Sequence, residues 1–315
     1  MKSSELEYDL PPELIAQHPA DRRDASKLLV YERRDGSIRH RRFAELKEEI
    51  DEGVLVVVND TRVVPARIPI ERPKGEVLLL EALGDGLWEG LARPTRRLRP
   101  GRRYGPVELI EHLGEGRWRL RLEGDPAGPD SIGTVPLPPY ITEPLADPER
   151  YQTVYAREAG SAAAPTAGLH FTPELLDRLD VERVTLHVGL DTFRPVVVED
   201  LAEHRLHGER YSVNAGAWER IRRAPRVLAV GTTTVRVLET LAGGGPLAGR
   251  TELFVTPGFE FRRVDALLTN FHLPRSTLLA LVMAFIGVEE TRELYRLAIA
   301  EHYRFYSFGD AMLVL

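Results

Sequence analysis

The chain has 315 residues, enough for about two domains at roughly 100–200 residues each. A hydrophobic share of 43% and a charged share of 29% suit a soluble globular protein, and the absence of cysteine excludes disulfides, Cys-ligated zinc, iron–sulfur clusters and a thiol nucleophile. A net charge of −6 does not announce a nucleic-acid binder, yet six arginines crowd into residues 93–103, and a local cluster can make an electrostatic footprint that the average hides.

The first residues carry no apolar stretch of the signal-peptide kind, and the longest apolar run, 278–288, is too short for a bilayer. The expectation is a cytoplasmic protein with no membrane contact.

Residues 1–66 read as mixed α/β. The run 54–58, Val-Leu-Val-Val-Val, is short and β-branched, which predicts a buried strand with Asn59, Asp60, Thr61 and Arg62 at its C-terminal end. Between 67 and 149 short alternating runs take over, at 76–82, 87–92, 107–113 and 117–122. Gly84-Asp-Gly86 and Gly114-Glu-Gly116 join them in pairs, which is hairpin chemistry. The span predicts a small β-barrel inserted into an α/β domain made of 1–66 and 150–315. From 150 strand and helix alternate again. Strands are expected at 181–188 and 226–230, and helices at 235–241, after Ser276, and at 289–302.

Neither a Walker A loop nor an HExxH pattern is present, and Gly243-Gly-Gly245 follows a helix, so it reads as a helix stop. The strand that runs into Gly231, Thr232 and Thr233 is more informative. Thr hydroxyls can cap the next helix, whose N-terminus favours an anionic group, and Arg236 one turn on could add a fork for a carboxylate or phosphate. Thr166 and Gly168 lie in a small-residue loop that lets a ligand approach the backbone, with His170 as its titratable side chain. His187 ends a strand on the face opposite the apolar one. If the strands are parallel neighbours, Asp60, His187 and Thr232 share one edge, where open α/β sheets bind ligands, and Asn270 and His272 could join it. His204 and His207 raise a metal question, but a His-x-x-His pair without a third close ligand is a weak signal, so no metal is expected.

Eight blocks occur together: Asn59-Asp-Thr-Arg-Val-Val-Pro-Ala-Arg67, Pro136-Leu-Pro-Pro-Tyr-Ile141, Tyr151-Gln-Thr-Val-Tyr155, Ala164-Pro-Thr-Ala-Gly-Leu-His-Phe171, Val184-Thr-Leu-His-Val-Gly189, Val230-Gly-Thr-Thr-Thr-Val-Arg236, Thr269-Asn-Phe-His-Leu-Pro274 and Tyr303-Arg-Phe-Tyr-Ser-Phe-Gly-Asp-Ala-Met312. In this order they closely resemble the S-adenosylmethionine:tRNA ribosyltransferase-isomerases of queuosine biosynthesis, from Tyr8 to the C-terminus. The resemblance implies an α/β domain with an inserted β-barrel. It also implies a reaction in which S-adenosylmethionine, a consumed co-substrate rather than a cofactor, gives its ribosyl carbons to 7-aminomethyl-7-deazaguanine at the tRNA wobble position. Adenine and methionine leave, and epoxyqueuosine forms.

Such chemistry needs a general base for the proton beside the sulfonium, a donor near adenine and a grip on the methionine carboxylate. Asp60, His170 and His187 are the catalytic candidates, with the base open between the two histidines. Asn59, Thr61, Arg62, Thr166, Gly168, Gly231, Thr232, Thr233, Arg236, Asn270 and His272 are the substrate-binding candidates. Arg93, Arg96, Arg97, Arg99, Arg102 and Arg103 are the candidates for tRNA phosphates. Asp191 stands where the family pattern leads one to expect Gly, which argues against that position as the base. A monomer is expected. The rivals are a methyltransferase, which lacks its Gly-rich loop here, a His-based metal hydrolase, which lacks a compact ligand set, and a non-catalytic RNA-binding module, against which the net charge speaks.

Overall fold

The computed structural model describes residues 1–122, 129, 132–189, 196–206 and 208–315. Asp191 and His207 lie outside the described residues, and with them the departure at 191 and the His204–His207 pair. In chain order the strands are β1 (Lys27–Tyr31), β2 (Ile38–Arg42), β3 (Val54–Asn59), β4 (Thr61–Val63), β5 (Arg67–Ile70), β6 (Gly75–Gly84), β7 (Leu87–Arg93), β8 (Arg102–Tyr104), β9 (Val107–Gly114), β10 (Arg117–Leu122), β11 (Glu158–Ser161), β12 (Val181–Leu186), β13 (Glu209–Ser212), β14 (Arg226–Val230), β15 (Ala248–Thr251), β16 (Ala266–Asn270) and β17 (Ala311–Val314). The helices are α1 (Leu46–Glu49), α2 (Pro173–Leu176), α3 (Ala215–Arg223), α4 (Thr232–Ala242), α5 (Thr277–Ile286) and α6 (Val288–Ala300).

Nine strands form one mixed sheet in the order β15-β13-β12-β3-β14-β16-β17-β1-β2. Its centre, β12-β3-β14-β16, is parallel, and β17 turns antiparallel to β16. The period of two divides the apolar residues between the faces. Leu29, Leu55, Val57, Val227 and Leu267 pack on one side among residues of α3–α6, and Leu28, Val56, Val58, Leu228 and Leu268 on the other with Phe43, Phe171 and Leu175. Each fully buried aliphatic side chain contributes roughly 1.5–3 kcal/mol.

Helix α4 starts at Thr232, earlier than the apolar run suggests. Its N-cap is Gly231 at φ +85°, and no side chain caps it, so the threonines are not its caps. Thr234 is inside the helix and donates to the Val230 carbonyl at 2.7 Å. Ser276 caps α5 by accepting the Leu279 N–H at 3.1 Å.

The remaining large sheet is six-stranded and antiparallel, in the order β5-β6-β7-β10-β9-β8, with its own core around Trp118, Leu120, Val77 and Leu109. Register shifts in the β6–β7 and β9–β10 pairs bend it, because a bulge increases local twist. It curls as a half-barrel: among the described residues, β5 and β8 do not pair with each other.

Candidate active site

Because β12, β3, β14 and β16 run in parallel, the residues at or just after the end of each strand meet along one edge: His187, Asn59–Thr61, Gly231–Thr233 and Asn270. The antiparallel β17 adds Asp310, and β1, parallel to β17, adds Ser26.

Asn59 is the clamp of this edge. Its Oδ1 accepts the N–H groups of Leu186 (3.0 Å) and Thr61 (3.2 Å), while its Nδ2 donates to the Leu186 carbonyl (2.9 Å) and Thr233 Oγ1 (3.3 Å). Fully buried, it ties β12, β4 and α4 to the end of β3.

Thr61 Oγ1 lies 2.9 Å from His187 Nδ1 and donates to the Glu158 carbonyl at 3.4 Å. With that donation the hydroxyl accepts Nδ1–H, and the lone pair of Nε2 is left over. Among the described residues, Nε2 makes no hydrogen bond. Gly160 lies beneath the ring at φ +141°, and a Cβ there would sit 3.0 Å from the imidazole, so only glycine allows this approach. Burial, and secondarily the Arg210 charge, lower the His187 pKa, which keeps the ring neutral near pH 7.

Asp60 is 1% exposed. It accepts from Thr185 Oγ1 at 2.7 Å and pairs with Arg157 at 3.0 Å. Burial raises its pKa against these two contacts. Arg62 pairs with Glu149 at 2.7 Å.

His170 has a different environment. Asn270 Nδ2 donates to its Nε2 at 3.2 Å, so Nδ1 carries the proton and gives it to Ser26 Oγ at 2.8 Å. Thr166 Oγ1, partly buried, donates to Asn270 Oδ1 at 3.0 Å, completing a chain of four side chains. Burial pushes the His170 pKa down to about 3. Gly168 is held against Tyr155, whose hydroxyl would lie 1.9 Å from any added Cβ. His272 is turned into the core: its Nε2 meets Thr269 Oγ1 at 2.8 Å, its carbonyl accepts from Tyr8, and burial lowers its pKa to about 3.

Arg236 does not present an open fork. It pairs with Glu209 and donates to the carbonyls of Leu253 (2.9 Å) and Thr251 (3.0 Å). Glu209 in turn accepts the Gly189 N–H at 2.8 Å. Sequence reasoning missed this buried carboxylate, although a lone Glu entering a strand beside Gly208 was a signal.

His187, Gly160, Glu209, Arg210 and Arg236 form one wall of a cleft of about 240 Å³. Leu278 and Leu281 of α5 and Phe254 close its apolar side, and Glu81, Trp88, Glu89 and Arg117 of the half-barrel form the facing wall. Half-barrel residues were expected only as an RNA surface, because no sequence pattern tells which strand faces another sheet. His170, Thr166, Asn270, Thr232 and Thr233 do not line this cleft.

Arg93, Arg96, Arg97, Arg99, Arg102 and Arg103 are all exposed. Among the described residues, no carboxylate pairs with Arg93, Arg96, Arg97, Arg99 or Arg102. Likewise, among the described residues no three His, Asp or Glu side chains gather at metal-ligating distance, and no helix is long and apolar enough to cross a membrane.

A family profile described as a queuosine biosynthesis protein matches residues 3–314. The S-adenosylmethionine:tRNA ribosyltransferase-isomerase of Rubrobacter xylanophilus is 52% identical over 100% of this chain and 98% of its own length. That of Acetivibrio thermocellus is 47% identical, with both chains covered fully. A crystal structure of S-adenosylmethionine tRNA ribosyltransferase from Thermotoga maritima shares 37% identity and a TM-score of 0.57, over 99% of this chain and 100% of that one. The residues gathered on the sheet edge thus sit in sequence blocks that match end to end, and the chain belongs to the queuosine biosynthesis protein family.

Proposed function

We propose that this protein is an S-adenosylmethionine:tRNA ribosyltransferase-isomerase that works in the cleft between its two large sheets. It transfers and isomerises the ribosyl moiety of S-adenosylmethionine onto 7-aminomethyl-7-deazaguanine at the wobble position of tRNA. Epoxyqueuosine-tRNA, adenine and methionine are the products. The observation that carries this reading is the His187 imidazole, which is neutral, held at Nδ1 by Thr61 and open at Nε2 beside a half-apolar cleft.

His187 is the base in this proposal. The positive sulfur acidifies the adjacent carbon, and a neutral imidazole with a lone pair removes that proton. Trp88 offers an aromatic surface to a base. Asp60 and His170 position the edge, the first through Thr185 and Arg157, the second through Ser26 and Asn270. Thr233 at the start of α4, outside the cleft, holds Asn59 through its hydroxyl, and Arg236 fixes Glu209 rather than the substrate. The exposed arginines of 93–103 meet tRNA phosphates.

We assign 1–66 and 150–315 to the catalytic domain and 67–149 to the inserted domain. One chain supplies both cleft walls, so a monomer suffices, and a tRNA substrate places the work in the cytoplasm. The sulfonium provides its own activation, so neither a metal nor a cofactor is required. Release of adenine and methionine from S-adenosylmethionine, only in the presence of tRNA bearing the aminomethyl base, tests the reading. Methylated RNA without free adenine would reject it.

A further inference from the structure

Next to His170 lies a second, smaller cavity of about 20 Å³, room for one water-sized oxygen. Three guanidinium groups line it, those of Arg23, Arg150 and Arg304, all partly buried. Arg23 donates to the carbonyls of Leu169 (3.0 Å) and Glu149 (2.9 Å). Arg150 donates to the carbonyls of Ala20 and Asp21, and its Nε–H is buried with no acceptor. Arg304 reaches the His18 carbonyl at 3.4 Å and the Asp310 carboxylate at 3.6 Å.

Carbonyl groups orient a guanidinium but do not cancel its charge. Among the described residues, no carboxylate pairs with Arg23 or Arg150. Of the nearby acids, Glu149 pairs with Arg62 at 2.7 Å, Asp24 pairs with Arg22 at 3.1 Å, and Asp147 accepts the Glu149 N–H at 3.0 Å. Burial and then the Arg150 charge lower the Arg23 pKa, and they outweigh the opposing pull of the Asp147 and Glu149 carboxylates, neither of which contacts Arg23 directly. A partly buried cation pair with no carboxylate in direct contact and with an orphaned N–H weakens the fold. The arrangement makes sense if an anion completes it.

We propose that this cavity is an oxyanion seat, in which one oxygen of a phosphate or carboxylate accepts the Nε–H of Arg150 between Arg23 and Arg304. The proposal rests on the reading above, because both substrates of that reaction carry such a group, the tRNA backbone as phosphate and S-adenosylmethionine as carboxylate.

Inorganic phosphate is the first probe, titrated into the full-length protein by calorimetry. Arg150→Lys keeps the charge and removes the fork, and Arg304→Gln removes a cation whose own contacts are long, so it folds even if Arg150 proves structural. Each is expected to weaken the phosphate interaction about tenfold or more relative to wild type, the loss of one charge-assisted hydrogen bond. The same variants are then titrated with S-adenosylmethionine alone and with an anticodon stem–loop over a range of salt. A salt slope flatter by roughly 0.7–0.9, with unchanged S-adenosylmethionine affinity, identifies a phosphate. A tenfold weaker S-adenosylmethionine affinity with an unchanged slope identifies the carboxylate. Folded Arg304→Gln and Arg150→Lys proteins that bind all three probes as wild type does would overturn the seat. Turnover of the wild type is read separately: no adenine release there strikes the enzyme reading, whereas unaltered binding in variants of an active enzyme strikes this proposal alone.

Discussion

The two ends of the sheet edge hold the same side chain in opposite ways. At the β12 end His187 has one nitrogen held by Thr61 and the other open to a cleft. At the β16 end His170 has both nitrogens engaged, by Ser26 and Asn270, and is almost completely buried. A histidine in a loop of small residues can therefore be fully engaged, with no ring nitrogen left open. A base needs an unengaged lone pair and access, and only the first end offers both. The second end has rigidity instead, and beside it a cavity lined by cations.

The strongest way to break this contrast is His187→Gln, which should lower kcat by roughly 10²–10⁴ while the unfolding midpoint stays close to wild type. His170→Gln should act the other way round, through lost stability more than through the chemical step. A kcat that collapses for His170→Gln and persists for His187→Gln in single-turnover assays would invert the assignment.

Acid titration sharpens the same point. His170 and His272 have pKa values of about 3 in the fold, against about 6.5 in an unfolded chain, so the unfolded state binds more protons between those values. Stability from these two groups is complete above pH 6.5 and falls as the pH drops from 6.5 toward 3. Each contributes a slope approaching 1.4 kcal/mol per pH unit in that window. Urea unfolding between pH 7 and pH 4 measures it, and His272→Gln should make the slope shallower. A stability that does not change across this window would mean that these rings are protonated in the fold.

A smaller effect concerns rate. His187 must be neutral to accept a proton, so kcat/KM should fall on the acid side through a pKa below the usual histidine value. Arg210 contributes to that lowering after burial. Arg210→Gln should therefore move the acid limb upward, which a pH–rate profile of the two proteins will show.

The smallest effect is expected far from the edge. Replacing Arg96, Arg97 and Arg99 with alanine should flatten the salt dependence of tRNA binding by up to roughly two units. It should raise the tRNA KM with little change in kcat. Equal slopes and equal KM would move the RNA surface elsewhere.

Local chemistry was readable. A β-branched run with Gly53 before it became β3, the Gly-Asp-Gly and Gly-Glu-Gly turns became the β6–β7 and β9–β10 hairpins, and Ser276 became an N-cap. These features depend on a few neighbouring residues, so the sequence carries them directly. Six strands of the large sheet, β1, β2, β13, β15, β16 and β17, were not predicted, because at four or five residues each they are too short for a period of two to stand out.

Residue types on the edge were legible too, since Asn, Thr and His after apolar strands are uncommon where packing alone decides. Which of them line the cleft was decided by tertiary structure. Arg236 resembles an anion fork in one dimension, but β13 brings Glu209 to it from 27 residues away in sequence. His170 and His187 resemble each other until Asn270 closes the first and Thr61 orients the second, partners 100 and 126 residues distant. Charge compensation and access depend on contacts between remote segments, and a single chain written in order does not state who those neighbours are.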